Sequence, residues 1–360
     1  MNLKPYLVTG GAGFIGSNFI HHALDVRSDW RIVNLDALTY SGNPANLTGL
    51  PPECADRHRL VQGDIRDPEL LQRLFRENRF SGVIHFAAES HVDRSILGPD
   101  LFLETNVMGT FRLLEAAKAF WAAEGKPEDF RFIHISTDEV YGSLGPDGLF
   151  TEQTPYDPSS PYSASKAGSD HLVKAYFRTY DLPVVVTNCS NNYGPYQFPE
   201  KLIPLMILNI LEEKPLPVYG DGKNVRDWLY VRDHCEALMA ALDKGVPGET
   251  YNIGGNEERR NIDIIHLLCE TMDARLDRSG AAAGKRLIRF VADRPGHDRR
   301  YAIDASKIRE TLDWRPRHGF EEALEATVDW YLSHMDWVNA VRTGLYRKWM
   351  KDNYDDRVEK

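Results

Sequence analysis

Thr9-Gly10-Gly11-Ala12-Gly13-Phe14-Ile15-Gly16 is the stretch that decides the fold of this chain. The apolar run Leu3–Val8 before it predicts a buried strand, and the pattern Phe14–Leu24 after it predicts a helix. Glycines between a strand and a helix let the backbone turn tightly and approach a pyrophosphate at the helix N-terminus. The stretch therefore predicts the start of a dinucleotide-binding βαβ unit.

The second strand of that unit is predicted at Arg31–Leu35, and Asp36 follows it, 20 residues after Gly16. A carboxylate at this point accepts hydrogen bonds from the adenosine ribose, and its charge repels a 2′-phosphate. Asp36 therefore favours NAD over NADP, the alternative being an aspartate that caps a turn. Asp64 and Ile65 are expected at the adenine edge, although Gly-Asp also marks ordinary turns.

The rest of the chain alternates short apolar runs with helical patterns, which indicates an α/β fold with a Rossmann-like, doubly wound parallel sheet. The strands are predicted at Val83–Ala87, Phe132–Ile135 and Val184–Val186, and the helices at Leu101–Ala119 and Ser163–Tyr180.

Two domains are expected. The first is an NAD-binding domain over 1–190, to which 231–253 returns with a helix at Val231–Leu242 and a strand at Glu249–Ile253. A smaller, mixed α/β domain is expected from 191–230 and 254–360.

Composition and charge exclude several classes of protein. With 360 residues, 42% of them hydrophobic and 27% charged, the chain is in the globular range. Its formal charge of -10 disfavours nonspecific nucleic-acid binding, which needs a basic surface. No signal-peptide pattern follows Met1 and no apolar stretch approaches the ~20 residues that span a bilayer, so we expect a cytoplasmic protein without membrane contact. The four cysteines lack the paired spacing of a metal site or a disulfide framework.

Tyr162 and Lys166 stand four residues apart in a helical pattern, so both side chains project from one face. A lysine charge and a positive nicotinamide favour the phenolate, which makes this tyrosine a usable base for a sugar hydroxyl. Lysine also suits the ribose hydroxyls. Tyr219 and Lys223 share this spacing, but the Gly-Asp-Gly between them would break a helix.

The glycine motif, Tyr162-x-x-x-Lys166 and Ser136-Thr137-Asp138-Glu139-Val140-Tyr141-Gly142 together resemble the extended short-chain dehydrogenase/reductase family, over nearly the whole chain. Within that family, Asn188-Cys189-Ser190-Asn191-Asn192-Tyr193-Gly194-Pro195-Tyr196 and Phe198-Pro199-Glu200-Lys201-Leu202-Ile203-Pro204 resemble the branch that dehydrates nucleotide-activated glucose. The resemblance implies a hydro-lyase that converts dTDP-glucose to its 4-keto-6-deoxy derivative with a tightly bound, regenerated NAD.

The mechanism implied by the resemblance gives each polar residue a role. Tyr162 takes the C4 hydroxyl proton while hydride passes to NAD, and Thr137 positions the C4 oxygen. Glu139 then removes the acidified C5 proton, Asp138 protonates the departing C6 hydroxyl, and hydride returns to C6. Asp138 needs a raised pKa for this, which burial and the neighbouring Glu139 would provide. The alternative is that both acids cap a following helix.

Further binding residues are implied by the same resemblance. Those for the cofactor are Gly10, Gly13, Phe14, Ile15, Gly16, Asp36, Leu38, Thr39, Asp64, Ile65, Ala87, Ala88, Ser90, Thr105, Tyr162, Lys166 and Asn188. Those for the substrate are Ser90, Thr137, Asn191, Lys201, Leu202, Pro217, Tyr219, Arg226, Asn261, Arg294 and His297. Arg226, Arg294 and Lys201 suit the diphosphate, although either arginine could instead form an ion pair. His91 and Asp93 are taken as structural.

Other functions use the same fold. A nucleotide-sugar 4-epimerase or decarboxylase would share Tyr162, Lys166 and NAD, but Asp138 disfavours both. UDP- or CDP-glucose is an alternative substrate, and an NAD-binding sensor or scaffold is the non-enzymatic alternative. The resemblance also implies a homodimer built from the helices at Leu101–Ala119 and Ser163–Tyr180, and a place in deoxysugar synthesis, for example that of rhamnose.

Overall fold

The predicted βαβ unit is present in the computed structural model, which describes residues 3–278, 284–293 and 295–342. Strand β1 spans Lys4–Thr9, helix α1 spans Phe14–Val26 and strand β2 spans Trp30–Asp36. The two strands pair in parallel, with Thr9 opposite Leu35. Both carboxyl ends therefore reach the same edge of the sheet.

Seven parallel strands form the central sheet in the order β10-β6-β5-β4-β1-β2-β3, which confirms the predicted fold class. The chain adds β2 and β3 on one side of β1 and then returns to place β4 on the other. Such a reversal opens a crevice at the carboxyl ends of the strands, where α/β folds bind ligands. The remaining strands are β3 (His58–Gln62), β4 (Gly82–His85), β5 (Arg131–Thr137), β6 (Val184–Cys189) and β10 (Thr250–Ile253).

Helices cover both faces of this sheet and bury two apolar cores. One predicted helix differs from expectation: Leu101–Ala119 is divided into α5, a π-helical stretch Leu103–Gly109 and α6. The wider turn carries Asn106, whose side chain exchanges two hydrogen bonds with the backbone of Glu89. Apolar spacing alone cannot reveal such a turn. The helices of this part are α2 (Pro52–Ala55), α3 (Pro68–Asn78), α4 (Val92–Leu97), α5 (Pro99–Phe102), α6 (Thr110–Ala123), α7 (Pro161–Tyr180) and α9 (Val231–Lys244).

A third core lies under smaller elements from the second half of the chain. The sheet order here is β11-β9-β7, with β12 and β8 as a separate pair. The strands are β7 (Asn191–Tyr193), β8 (Leu216–Tyr219), β9 (Val225–Tyr230), β11 (Glu258–Arg260) and β12 (Ile288–Val291). The helices are α8 (Leu202–Leu211), α10 (Asn261–Arg275), α11 (Ser306–Leu312), α12 (Phe320–Ser333) and α13 (Met335–Val341).

The domain division stays a prediction, but three sets of contacts bear on it. Strand β10 pairs with β6 at the edge of the large sheet, and α9 packs against β5 and β6. Helix α11, which was expected in the smaller domain, places Ile308 and Leu312 in a core of the large sheet. Across the residues that the structure describes, no helix combines the length and apolarity needed to cross a bilayer.

Candidate active site

A cleft of about 730 Å³ opens at the carboxyl edge of the central sheet. It runs from the glycine turn after β1, past β4, to the ends of β5 and β6. Most of the residues predicted for the cofactor line it. They are Gly10, Gly13, Phe14, Ile15, Gly16, Asp36, Thr39, Asp64, Ile65, Ala87, Ala88, Ser90, Thr105, Tyr162 and Lys166.

The glycine turn brings the backbone close to its neighbours. Gly10 has a φ of +72°, and a Cβ there would lie 2.6 Å from the backbone nitrogen of Ala87. A Cβ on Gly16 would lie 2.3 Å from the carbonyl oxygen of Gly10. Helix α1 begins after Gly13 without a side-chain cap, so its first N–H groups remain available to an anion. This arrangement fits the pyrophosphate of a dinucleotide.

Asp36 lies at the edge of the cleft and is anchored by the backbone. Its Oδ2 accepts from Ala12 N and its Oδ1 accepts from Leu38 N, each at 2.8 Å. Burial raises the pKa of Asp36, and the two hydrogen bonds oppose that shift. Leu38 itself does not line the cleft: its φ is +52°, and its side chain packs against the core instead. The predicted contact of Leu38 with the cofactor therefore stays a prediction, and the cleft residues do not include it.

Asn188 is a second residue predicted for the cofactor that is not among the residues lining the cleft. It is fully buried in β6, and its Nδ2 donates to the hydroxyl of Tyr156 at 3.2 Å rather than lining the cleft. Successive side chains of a strand point to opposite faces. The next residue, Cys189, therefore reaches the cleft in its place.

Helix α7 carries the predicted tyrosine and lysine. Ser160 and Ser163 form a capping box that starts the helix, and Tyr162 stands in its first turn. The hydroxyl of Tyr162 is hydrogen-bonded to Thr137, at the end of β5. Lys166 Nζ donates to the carbonyl oxygen of Ile135, also on β5, at 2.8 Å. Residues at the end of β5 thus bind both Tyr162 and Lys166.

The protein groups around Tyr162 do not produce the expected phenolate. Burial raises its pKa well above the ordinary value, and the charge of Glu139 raises it further. Lys166 makes its hydrogen bond to a backbone carbonyl instead of the phenol. A phenolate at Tyr162 therefore needs additional positive charge in the cleft.

Asp138 and Glu139 begin a single 3₁₀ turn, Asp138–Tyr141, directly after β5. Glu139 lines the cleft, whereas Asp138 is buried behind it with 1% of its surface exposed. The Asp138 Oδ1 accepts from Thr137 Oγ1 at 3.3 Å, and its Oδ2 has no hydrogen-bond partner among the described residues. Burial raises the pKa of Asp138 well above its usual range, followed by the charges of Glu139 and Asp227. Burial and these charges therefore favour the protonated form of Asp138.

A second pocket of about 170 Å³ adjoins the cleft, and Glu139 lines both. His91 and Asp93, which were taken as structural, belong to its wall. Arg294 lies outside the described residues. The residues predicted for the substrate that line this pocket are Asn191, Lys201, Leu202, Pro217, Tyr219, Arg226, Asn261 and His297, while Ser90 and Thr137 line the cleft.

Two side chains in this pocket are suited to polar groups of a ligand. The Asn261 Oδ1 is buried and has no hydrogen-bond partner among the described residues. The guanidinium of Arg226 lies 4.2 Å from the ring centre of Tyr301 and donates to the Asp298 carbonyl at 2.9 Å. These contacts restrict the guanidinium to one orientation, which favours binding of an anionic ligand.

Three interacting residues of the cleft were not predicted from the sequence. Arg94 lies 3.6 Å above the ring centre of Tyr40, and its Nη2 is 3.3 Å from the carboxylate of Glu200. All three residues line the cleft. Charged side chains usually remain in solvent, so the Phe198–Pro204 motif, which contains Glu200, was the only signal in the sequence.

Comparison with known proteins is consistent with this site. The family model described as GDP-mannose 4,6 dehydratase matches residues 7–327. A dTDP-glucose 4,6-dehydratase of Xanthomonas campestris pv. campestris (strain B100) is 57% identical over 347 residues, which cover 96% of this chain and 98% of that protein. The dTDP-glucose 4,6-dehydratase 1 of Escherichia coli (strain K12) is 53% identical over 362 residues, covering 98% and 99%.

Solved structures are similar as well. DesIV, a dTDP-glucose 4,6-dehydratase from Streptomyces venezuelae with NAD and TYD bound, superposes with a TM-score of 0.84 at 47% identity, covering 94% of this chain and 99% of that one. A Thermus thermophilus UDP-glucose 4-epimerase in complex with NAD has a TM-score of 0.79 at 30% identity, covering 92% and 99%. The chain therefore belongs to the extended short-chain dehydrogenase/reductase family, in its nucleotide-sugar 4,6-dehydratase branch.

Proposed function

We propose that this protein is an NAD-dependent hydro-lyase that converts dTDP-glucose to dTDP-4-keto-6-deoxyglucose and water. The observation that carries the proposal is the pair of carboxyl groups after β5: Asp138 is buried, with a raised pKa, and the adjacent Glu139 lines the cleft with Tyr162. Elimination of water needs an acid for the leaving hydroxyl and a base for the proton. The turn after β5 supplies both.

The cleft suits NAD. The glycine turn and the start of α1 would hold the pyrophosphate, Asp36 would accept from the adenosine ribose, and Lys166 would donate to the nicotinamide ribose. NAD, when bound, supplies a hydride acceptor and a positive charge that stabilises a phenolate. Relatives described with NAD bound support this assignment.

In the first half of the reaction, Tyr162 accepts the proton of the C4 hydroxyl as that carbon is oxidised. Thr137 lies within hydrogen-bond reach of the phenol, so it can keep the C4 oxygen beside it. The resulting ketone makes the C5 hydrogen acidic. Tyr162 and Thr137 therefore stabilise the charge that develops on the C4 oxygen.

In the second half, Glu139 removes the C5 proton because it is the carboxyl group that lines the cleft. Asp138 donates its proton to the C6 hydroxyl, which leaves as water, so that a C5–C6 double bond forms. C6 would then receive the hydride that NAD took from C4, and Glu139 would return the proton to C5, which gives the 4-keto-6-deoxy product. Burial keeps Asp138 protonated, while Glu139 is partly exposed. The two carboxyl groups thus have different environments and opposite roles.

The second pocket would hold the nucleoside diphosphate, with Arg226 near the phosphates and Asn261 presenting an amide to the base. Identity above 50% to dTDP-glucose dehydratases supports thymidine over uridine or cytidine. The epimerase alternative has support from shape alone, because an epimerase superposes nearly as well as the dehydratases. An epimerase needs no acid for a leaving hydroxyl, so Asp138 favours dehydration.

We further propose a homodimer in the cytoplasm, acting in deoxysugar synthesis such as that of rhamnose. Leu103 and Met108, in the π-helical stretch packed on α7, are 54% and 40% exposed, which suits contact with a second copy. The four cysteines are buried free thiols, as expected in a reducing compartment.

The test is to incubate the holoenzyme with dTDP-, UDP- and CDP-glucose and to follow product mass. Loss of one water from dTDP-glucose is expected, with kcat lowered about 100-fold or more in Asp138→Asn, the size of a general-acid contribution. Asp243→Asn, at an exposed ion pair, is the matched control and should keep full activity. A product of unchanged mass would instead mean epimerisation.

A further inference from the structure

Helix α7 places a third charged residue in line with the tyrosine and lysine. Asp170 follows Lys166 by four residues, as Lys166 follows Tyr162, so all three project from one face. Asp170 is 0% exposed and Lys166 is 4% exposed. A buried ammonium is costly unless an opposite charge lies nearby, and the Ile135 carbonyl that binds Lys166 is neutral.

Asp170 itself is surrounded by neutral donors. Its Oδ1 accepts from His134 Nε2 at 3.1 Å, and its Oδ2 accepts from Ser136 Oγ at 2.7 Å and from the Tyr156 hydroxyl at 3.0 Å. Burial alone would raise the pKa of Asp170, but its interactions with His134, then the charge of Lys166 and the hydrogen bond from Ser136, lower it. The carboxyl group is therefore an ionised, fully buried acceptor.

The other titratable groups facing Lys166 do not balance its charge. Burial raises the pKa of the Cys189 thiol to about 12. Burial and the nearby charge of Lys166 lower the pKa of His134 to about 4. Both groups are therefore uncharged near neutral pH. Burial also lowers the pKa of His85. The groups around Lys166 are Asp170 and, one turn earlier on the same face of α7, Tyr162, together with His134 on β5, His85 on β4 and Cys189 on β6.

We propose that Asp170 is the buried counter-charge of Lys166, a positioning residue that keeps the lysine protonated behind Tyr162 and ties α7 to β5. Its partner Ser136 precedes Thr137, so the same carboxylate also orients the strand end that carries the acid–base pair. Lys174, one turn further along α7 and partly exposed, also interacts with the charge of Asp170. This inference rests on the proposed function only where it concerns turnover.

The first test compares the pH dependence of kcat in two variants. Asp170→Asn removes the charge and preserves the shape, so the ammonium of Lys166 becomes less stable and the alkaline limb should move down by about one pH unit. Tyr156→Phe removes a neutral hydrogen bond from the same carboxylate, and its alkaline limb should stay in place. Identical profiles in both variants would overturn the proposal.

The second test needs no substrate. We would measure the free energy of unfolding of the holoenzyme for Asp170→Asn, Lys166→Met and the double variant. Each single variant leaves one buried charge without its partner. The free energy of unfolding of the double variant should therefore be higher than the sum of the two single losses predicts. Additive losses would refute the counter-charge, as would a double variant that fails to fold when Lys166→Met folds. Absence of turnover with every nucleotide sugar would refute the proposed function and leave this result standing.

Discussion

At the residue scale, the site depends on ionisable groups that are kept from water to different degrees. Asp138 is buried and has a raised pKa, Glu139 reaches the cleft, and Tyr162 carries a pKa raised by burial and by Glu139. These three groups act at successive stages of the proposed reaction. Their order can therefore be tested by stopping the reaction at different points.

Replacing Glu139 with Gln should stop the reaction after C4 oxidation. Without the carboxylate the C5 proton stays in place, so reduced nicotinamide should accumulate when dTDP-glucose is added, and its near-ultraviolet absorbance should persist. Tyr162→Phe is the matched comparison, because loss of the base for the C4 hydroxyl should prevent any such absorbance. If Glu139→Gln gave no reduced cofactor, the glutamate would be needed earlier than we propose.

At the element scale, the start of α7 determines where the tyrosine stands. Ser160 caps this helix and accepts from Ser163 N at 3.1 Å, two residues from Tyr162. Asp67 caps α3 in a similar way by accepting from Glu69 N and Leu70 N, both at 3.0 Å. The two caps offer the same kind of contact, but only the cap of α7 stands beside Tyr162.

Ser160→Ala and Asp67→Ala should each lower the free energy of unfolding by about 1 kcal/mol, because each leaves backbone donors at a helix start without a partner. Denaturant unfolding measures this loss. Only Ser160→Ala should also lower kcat, since fraying of the first turn moves Tyr162 away from Thr137. Equal activity in the two variants would mean that packing alone holds the tyrosine.

At the scale of the whole molecule, the π-helical stretch and α7 present exposed apolar side chains. A charge at Leu103 should therefore oppose the proposed dimer. Sedimentation at micromolar concentration should find the wild type as a dimer and Leu103→Glu largely as a monomer. Leu149→Glu changes a leucine of similar exposure, 49% against 54%, that lies outside every helix, and should leave the dimer intact. A monomeric wild type would contradict the proposal.

Several features of this protein follow from local sequence, because they depend on contacts between near neighbours. The glycine turn predicts the first βαβ unit, since only residues without a side chain can pass so close to Ala87 and to one another. The alternation of apolar runs indicates the parallel sheet, and the four-residue spacing on α7 aligns Tyr162 with Lys166. The position of Asp138 beside Glu139 already suggested a raised pKa.

Other features depend on which segments meet in space, and only the tertiary structure decides them. Strand alternation turns Asn188 away and presents Cys189, and a left-handed backbone at Leu38 removes its side chain from the cleft. The raised pKa of Asp138 depends on burial by the fold and on the charge of Asp227, which comes from a distant part of the chain. The pairing of Asp170 with donors from β5 arises in the same way. Local sequence determines which groups are present, whereas the fold determines which of them lose contact with water, and that loss sets their charge.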